Sequence, residues 1–270
     1  MSTSADGAPH VKPLSGKHWT KVARLDFIST AVRQDGFVNV DDLAEALGVS
    51  RMTVHRDLDE LQGIGTLRKI RGGASAQRST GYESDLPYRK KSATEEKQRI
   101  AAVAAQLANN GDVAIVDDST TGLEMIPHLA QLSPITVITN FMPAMEELRA
   151  HQAVNLIALG GQFDQKYSAF LGLICEKNLS ELYADVLFAS TSSMHNNVLY
   201  HQDQRIVSVR RAMLKAARQR VLLIDHTKVG QGALYRLGDI TEFTHVVLDD
   251  QVSNEVVKSI QEAGVEVLIA

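Results

Sequence analysis

Between Thr20 and Gln34 the apolar residues Val22, Leu25, Ile28 and Val32 recur at the three-and-four spacing of one helical face. The stretch QDGF at 34–37 interrupts that stripe. Asn39 then stands as an N-cap, Leu43, Ala44 and Leu47 share a face, and Gly48 is placed to stop a second helix. Ser50 caps a third, whose apolar stripe is Val54, Leu58 and Leu61, with Gly63 and Gly65 at its end. TLRKIRGGA at 66–74 alternates and closes on Gly72 and Gly73, the pattern of a short hairpin. Three short helices followed by a hairpin predict an α+β winged helix-turn-helix over 20–74.

Residues 75–96 are polar, broken by Gly81 and Pro87, and are expected to form a linker. From 97 to 270 the pattern changes. Apolar runs at 113–117, 135–139, 154–159, 185–190, 220–225, 245–249 and 265–269 read as strands. Helical stretches such as EKQRIAAVAAQLA, TGLEMIPHLAQL and QRIVSVRRAMLKAA lie between most of them. Alternating strands and helices predict an α/β domain whose largely parallel sheet is covered on both faces. Ligands in such domains bind beyond the carboxyl ends of the strands.

The residues just past each run are therefore the candidates. DDSTTG at 117–122 places Asp117, Asp118, Ser119, Thr120 and Thr121 between a strand and a helix start, suited to a phosphate and a sugar hydroxyl or, equally, to plain helix capping. Thr139 and Asn140 follow the second strand, Gly160 and Gly161 the third, STSS at 190–193 the fourth. DHTK at 225–228 follows the fifth, with Lys228 available to an anion. Asp117, Asp118 and Lys228 fit acid–base chemistry on a sugar phosphate as well as simple binding. His195, His201 and His226 fall near these tips, but no HxH, HExxH or CxxC spacing supports a metal, and no cofactor is expected.

Charge sharpens the picture of the first domain. The chain of 270 residues is 44% hydrophobic and carries a net charge of −4, yet residues 1–80 are net +2 and the remainder net −6. Residues 66–78 hold four basic side chains and no acid, which is what a phosphate backbone feels. On the third helix Arg51 and Arg56 suit phosphates or guanine edges, Thr53 a phosphate or a thymine methyl, and His55 either, with Ser50 at the cap. Arg68, Lys69 and Arg71 are expected along the adjacent backbone. The single Cys175 permits no intramolecular disulfide. No apolar run reaches the ~20 residues of a membrane helix. Residues 1–19 lack the apolar core of a signal peptide and are read as a disordered leader, so a cytoplasmic protein is expected.

The stretch LAEALGVSRMTVHRDLDELQGIGTLRKIRGGA resembles the DNA-binding segment of DeoR-type bacterial transcriptional regulators. His55 stands where that family usually has Arg, and VDDSTT is similar to the family's LDSGTT with Ser119 in place of Gly. VITN, LGG at 159–161, Gly172, ADVLFASTSS and LLIDHTKVG follow in the family's order. The resemblance implies a Rossmann-like sensor domain similar in fold to ribose-phosphate isomerases and coenzyme A transferases. It implies operator DNA as partner, a repressor of carbohydrate catabolism, and a phosphorylated sugar as effector. Carried onto this sequence, the effector pocket is Asp117, Ser119, Thr120, Thr121, Thr139, Asn140, Gly160, Gly161 and Lys228. A homodimer or homotetramer is expected, since a symmetric pair of helices reads two half-sites. Two rival readings stand beside it: a sugar-phosphate isomerase or deaminase with a DNA-binding appendage, and a DNA-binding module whose α/β domain serves only assembly.

Overall fold

The computed structural model describes residues 19–35, 37–63, 66–75 and 86–270. The expected leader, apart from Trp19, lies outside the described residues, as do Gly65 and residues 76–85 of the segment 75–96. The chain divides into two compact units, Met1–Ser84 and Asp85–Ala270.

In the first unit α1 (Lys21–Asp35), β1 (Phe37–Asn39), α2 (Val40–Leu47), α3 (Arg51–Gly63), β2 (Arg68–Ile70) and β3 (Gly73–Ser75) follow in order. Ile28, Val32, Leu43, Leu47, Val54, Leu58 and Leu61 pack together with Val38, Leu67 and Ala74. Val22, expected on the buried stripe of α1, is 77% exposed. Arg24 sets that helix's orientation by bonding Asp57 of α3 at 2.7 Å, and Val22, about 200° around the helix from it, is turned to solvent. Asn39 caps α2 by accepting from the Asp41 N–H, and Gly48 ends it at φ 62°. Ser50 Oγ accepts from the Thr53 N–H at 3.2 Å and opens α3.

β1, which the sequence pattern shows only as an interruption, joins an antiparallel sheet of order β1-β3-β2. Glycine is required at 73, because a Cβ there would stand 2.1 Å from the Val38 carbonyl oxygen.

The second unit begins with α4 (Leu86–Lys91) and α5 (Thr94–Ala104). It continues through β4 (Val113–Val116), α6 (Thr120–Leu123), α7 (Ile126–Leu129), β5 (Ile135–Thr139), α8 (Met142–Leu148) and β6 (Val154–Ala158). Next come β7 (Gln162–Asp164), β8 (Ala169–Leu171), α9 (Leu173–Ser180), β9 (Ala184–Ser190), β10 (Ser193–His195) and β11 (Val198–His201). It ends with α10 (Gln204–Lys215), β12 (Ala217–Ile224), β13 (Tyr235–Asp239), β14 (His245–Leu248), α11 (Asn254–Glu262) and β15 (Glu266–Ile269).

The seven apolar runs form one sheet of order β15-β14-β12-β9-β4-β5-β6, with every neighbouring pair parallel. The chain winds outward through β5 and β6, then returns to the other side of β4 for β9. The order therefore reverses between β4 and β9, the position at whose carboxyl ends ligands bind in sheets of this kind. β7 pairs with β8, and β10, β11 and β13 form a second small antiparallel sheet.

Two features depart from the sequence reading, and a third adds an element it did not assign. The segment 75–96, expected as linker, holds α4 and the start of α5, and its Leu86 and Arg89 are buried, so polarity alone misplaces the start of the packed unit. The helix read across TGLEMIPHLAQL is two short ones, α6 and α7, since Pro127 has no N–H and fits only the first turn of a new helix. The polar stretch at 195–197 is a hairpin corner, where Asn196 and Asn197 adopt φ 49° and 61° between β10 and β11.

Candidate DNA-binding face and candidate ligand site

On α3 the first turns carry the exposed side chains. Arg51, Met52 and Arg56 point to solvent, whereas Thr53 and His55 are half-buried. Ser50 is exposed and shares a 3.0 Å hydrogen bond between its hydroxyl and that of Thr53. Arg51 is held in an exposed ion pair with Asp41 of α2. His55 Nδ1 is buried without a hydrogen-bond partner among the described residues. Met52, 62% exposed, is absent from the sequence reading, because an apolar residue off the buried stripe carries no signal until the face is known.

The hairpin's three basic residues part company. Arg68 and Arg71 are exposed, but Lys69 turns back onto α3, where its Nζ donates to Asp59 at 2.7 Å and its N–H to Gln62 at 2.8 Å. Asp57, 3% exposed in its side chain, receives two bonds from Arg24 and clamps α1 to α3.

At the carboxyl edge of the large sheet the residues from the first two tips are all buried. Asp117, Asp118, Ser119, Thr120, Thr121, Thr139 and Asn140 are each at most 6% exposed. Asp117 accepts from the N–H groups of Ser119 at 3.0 Å and Ser190 at 2.9 Å, which ties the tips of β4 and β9 together. Arg210 of α10 lies between the carboxylates, donating to Asp118 Oδ1 at 3.2 Å and to the Ser190 carbonyl at 2.6 Å. Burial pushes the Asp117 carboxyl above the usual carboxylate range, against the pull of Arg210.

Ser119 is the cap of α6, its Oγ accepting from the Gly122 N–H at 2.8 Å. The N–H groups of Thr120 and Thr121 open that helix and have no acceptor within it. Thr139 Oγ1 accepts from the Phe141 N–H, and Asn140 Nδ2 donates to the Phe170 carbonyl at 3.0 Å, fastening β8 over the edge. Gly160 and Gly161 are half-buried; a Cβ on Gly161 would stand 2.6 Å from the Leu171 carbonyl, so that glycine serves the approach of β8.

Arg89 and Lys97 join this site, and spacing gave no hint of either. The Arg89 carbonyl accepts from Thr120 Oγ1 at 3.3 Å and from the Lys97 ammonium. Its guanidinium lies 5.6 Å from the centre of the buried Tyr167 ring, with Nε and Nη2 buried and unpartnered among the described residues. Burial, with the nearby charge of Lys228, holds the Lys97 ammonium down to about 8, while Asp225 and Glu124 pull the other way. Lys97 thus lies within electrostatic reach of both Arg89 and Lys228.

Lys228 closes a short turn opened by Asp225, whose Oδ1 accepts from the Thr227 N–H at 3.0 Å. Asp118 Oδ2, Asn140 Oδ1 and Asp225 Oδ2 are buried acceptors without partners among the described residues. Such atoms are costly unless something satisfies them.

The three histidines do not converge. His226 pairs with Asp249 at 3.1 Å, His201 accepts from the Asp203 N–H at 3.0 Å, and His195 is exposed in its hairpin. Among the described residues no group of three His, Cys, Asp or Glu is placed to hold a metal ion. Cys175 is buried, and burial raises its thiol to about 12, which makes it a packing residue. No helix of the described residues is long and apolar enough to cross a membrane.

A helix-turn-helix with a basic hairpin, followed by a parallel α/β unit with buried cations at its strand tips, is the build of a two-part regulator that binds DNA and senses a small molecule. Residues 24–80 match the DeoR-like helix-turn-helix domain and residues 92–250 the DeoR C-terminal sensor domain. The chain belongs to the DeoR family of transcriptional regulators and is not an enzyme. It is 32% identical to the lactose phosphotransferase system repressor of Staphylococcus aureus, over 88% of this chain and 97% of that one. It is 28% identical to the HTH-type transcriptional regulator UlaR of Salmonella arizonae, over 92% and 99%. Among solved structures, ribose 5-phosphate isomerase A of Methanocaldococcus jannaschii is similar over 52% of this chain and 56% of that one, at 16% identity and a TM-score of 0.39.

Proposed function

We propose that this regulator acts in the cytoplasm as a homodimer or homotetramer that represses a carbohydrate-catabolism operon. A phosphorylated sugar or a related metabolite, bound at the sheet edge, relieves the repression. One observation carries the reading: the buried Lys97 ammonium lies within electrostatic reach of Arg89 and Lys228, and the Arg89 guanidinium has donors unpartnered among the described residues. A cluster of partly desolvated like charges is unfavourable alone and becomes favourable around a dianion. The unpartnered oxygens of Asp118, Asn140 and Asp225 suit the hydroxyls of the attached sugar. The family resemblance to repressors named for a sugar phosphotransferase system agrees with this chemistry. Oligomerisation follows from the two half-sites that a pair of recognition helices reads.

Thermal-shift measurements with matched sugars and sugar phosphates test the reading. Stabilisation by the phosphorylated member of a pair, with release of operator DNA in a gel shift, is the expected result. Equal response to the unphosphorylated sugar would remove the phosphate from the proposal.

A further inference from the structure

The boundary between the two units falls between Ser84 and Asp85, which makes α4 the first helix of the second unit and the one nearest in sequence to the DNA-binding unit. Its buried Leu86 joins the core of the second unit. Its Arg89 carbonyl is held by two donors from the candidate ligand site, the Thr120 hydroxyl and the buried Lys97 ammonium. Just past α4, Ala93 makes the corner into α5 at φ 51° and ψ 44°. That is the left-handed region, where the Cβ of an alanine is crowded against the backbone. Such a corner persists only while the contacts around it impose it.

We propose that Arg89 is a latch through which an anion bound at the sheet edge acts on α4. Without ligand, the Arg89 carbonyl ties α4 to Thr120 and Lys97. With ligand, the carbonyl is displaced and the guanidinium of the same residue takes hold of the anion. The inference rests on the reading of that edge as an anion site.

Three observations support the exchange. Thr120 Oγ1 has one proton to donate, and the Arg89 carbonyl already receives it. An anion drawn to that hydroxyl and to the Lys97 ammonium competes with the carbonyl oxygen for the same donors and is repelled by its partial negative charge. The Arg89 side chain is the complement: the residue is 8% exposed, and Nε and Nη2 are unpartnered among the described residues. Buried donors of a cation gain most from a charged acceptor. Finally, the corner at Ala93 stores strain in the latched state, so freeing the carbonyl lets that residue return to an ordinary conformation and α4 turn about it. One residue thus presents an acceptor in one state and donors in the other.

The test uses the full chain, a duplex it selects from a randomised pool, and inorganic phosphate as the probe, with chloride at matched ionic strength as control. In the parent, phosphate binding measured by calorimetry should be accompanied by faster hydrogen exchange of the amides of residues 88–93 and by release of the duplex. Ala93→Gly accepts the left-handed corner without crowding and lies outside the proposed ligand and DNA contacts. It should hold the duplex at least as tightly as the parent when phosphate is absent. It should also need about fivefold more phosphate for release and, by linkage, bind phosphate more weakly by the same factor. Arg89→Met should still bind phosphate through Lys97, more weakly, yet keep slow exchange in α4 and hold the duplex. Phosphate binding that leaves exchange in α4 unchanged, an Ala93→Gly variant that responds as the parent does, or an Arg89→Met variant that releases the duplex on binding phosphate would overturn the latch and leave the anion site standing. A parent that binds no phosphate would overturn the anion site and the latch with it.

Discussion

Arg210 Nε stands 3.2 Å from Asp117 Oδ2 at the point where the sheet reverses its winding, and both side chains are almost wholly buried. The same guanidinium also neutralises Asp118, so one cation from α10 balances two carboxylates at the tip of β4. Removing one member of a buried ionic group leaves the others uncompensated, which commonly costs 3–5 kcal/mol. Arg210→Met is expected to destabilise the second unit by about that amount in urea unfolding. Adding Asp117→Asn and Asp118→Asn should recover part of the loss. A single variant as stable as the parent would mean that the carboxylates are protonated in the folded chain.

Lys97 gives a stability signal of opposite sign. Its ammonium falls from the ordinary 10.5 to about 8 on folding, chiefly through burial. Between these values the unfolded chain binds more protons than the folded one, so stability rises as pH increases from about 8 to about 10.5. Each unit is worth 1.36 kcal/mol, which puts the whole effect at roughly 3 kcal/mol. Lys97→Met should therefore stabilise the chain at pH 7 and remove this rise, while abolishing the response to an anionic effector. Denaturant titrations of parent and variant at pH 7 and pH 9.5 make the comparison. Parallel pH curves for the two would show that Lys97 keeps its ordinary affinity for protons.

How far the sequence predicted this molecule depends on what kind of signal each part leaves. β4, β5, β6, β9, β12, β14 and β15 are legible because a parallel strand buried on both faces is an apolar run. β7, β8, β10, β11 and β13 are not, since strands of three to five residues are too short for a two-residue period to stand out, and Gln162–Asp164 buries none of its residues. Capping was readable at Asn39, Gly48 and Ser50, where one side chain or one φ value decides the structure. The candidate ligand edge was legible only where a polar residue follows an apolar run. Arg89, Lys97 and Arg210 lie on helices, and only the tertiary fold brings them to the strand tips. Lys69 shows the converse: a basic residue in a basic hairpin reads as a DNA contact until Asp59 is seen beside it.

The exposed pair between Arg51 and Asp41 makes a specific statement about DNA affinity. An exposed ion pair is worth at most about 1 kcal/mol, so Arg51 is held near α2 only loosely. Asp41→Asn frees Arg51 and removes a negative charge from the DNA-facing side, and should tighten operator binding by roughly a fewfold at low salt. Arg51→Ala and Arg56→Ala should each cost about 1–3 kcal/mol if the residue reads a base pair. Gel shifts at fixed salt on operator and scrambled DNA measure all three. Weaker binding by Asp41→Asn would mean that the ion pair presents Arg51 to the groove instead of withholding it.

Lys228 and Thr121 separate effector binding from DNA binding. Lys228 makes no ion pair or hydrogen bond through its side chain among the described residues, so its loss leaves no partner stranded. Thr121→Val keeps the volume of a buried side chain and removes its hydroxyl. An effector shifts the regulator only through the difference in its affinity for the DNA-bound and released states. Removing a contact made mainly in the released state therefore weakens induction and leaves repression intact. In a reporter strain both variants should stay repressed when the inducing sugar is fed, while the purified proteins still shift operator DNA. Should the effector instead be a co-repressor, the same substitutions would give constitutive expression, because the liganded state would then be the one that holds DNA. Normal induction in both, with ligand affinity by calorimetry equal to the parent's, would take the Lys228 ammonium and the Thr121 hydroxyl out of the site.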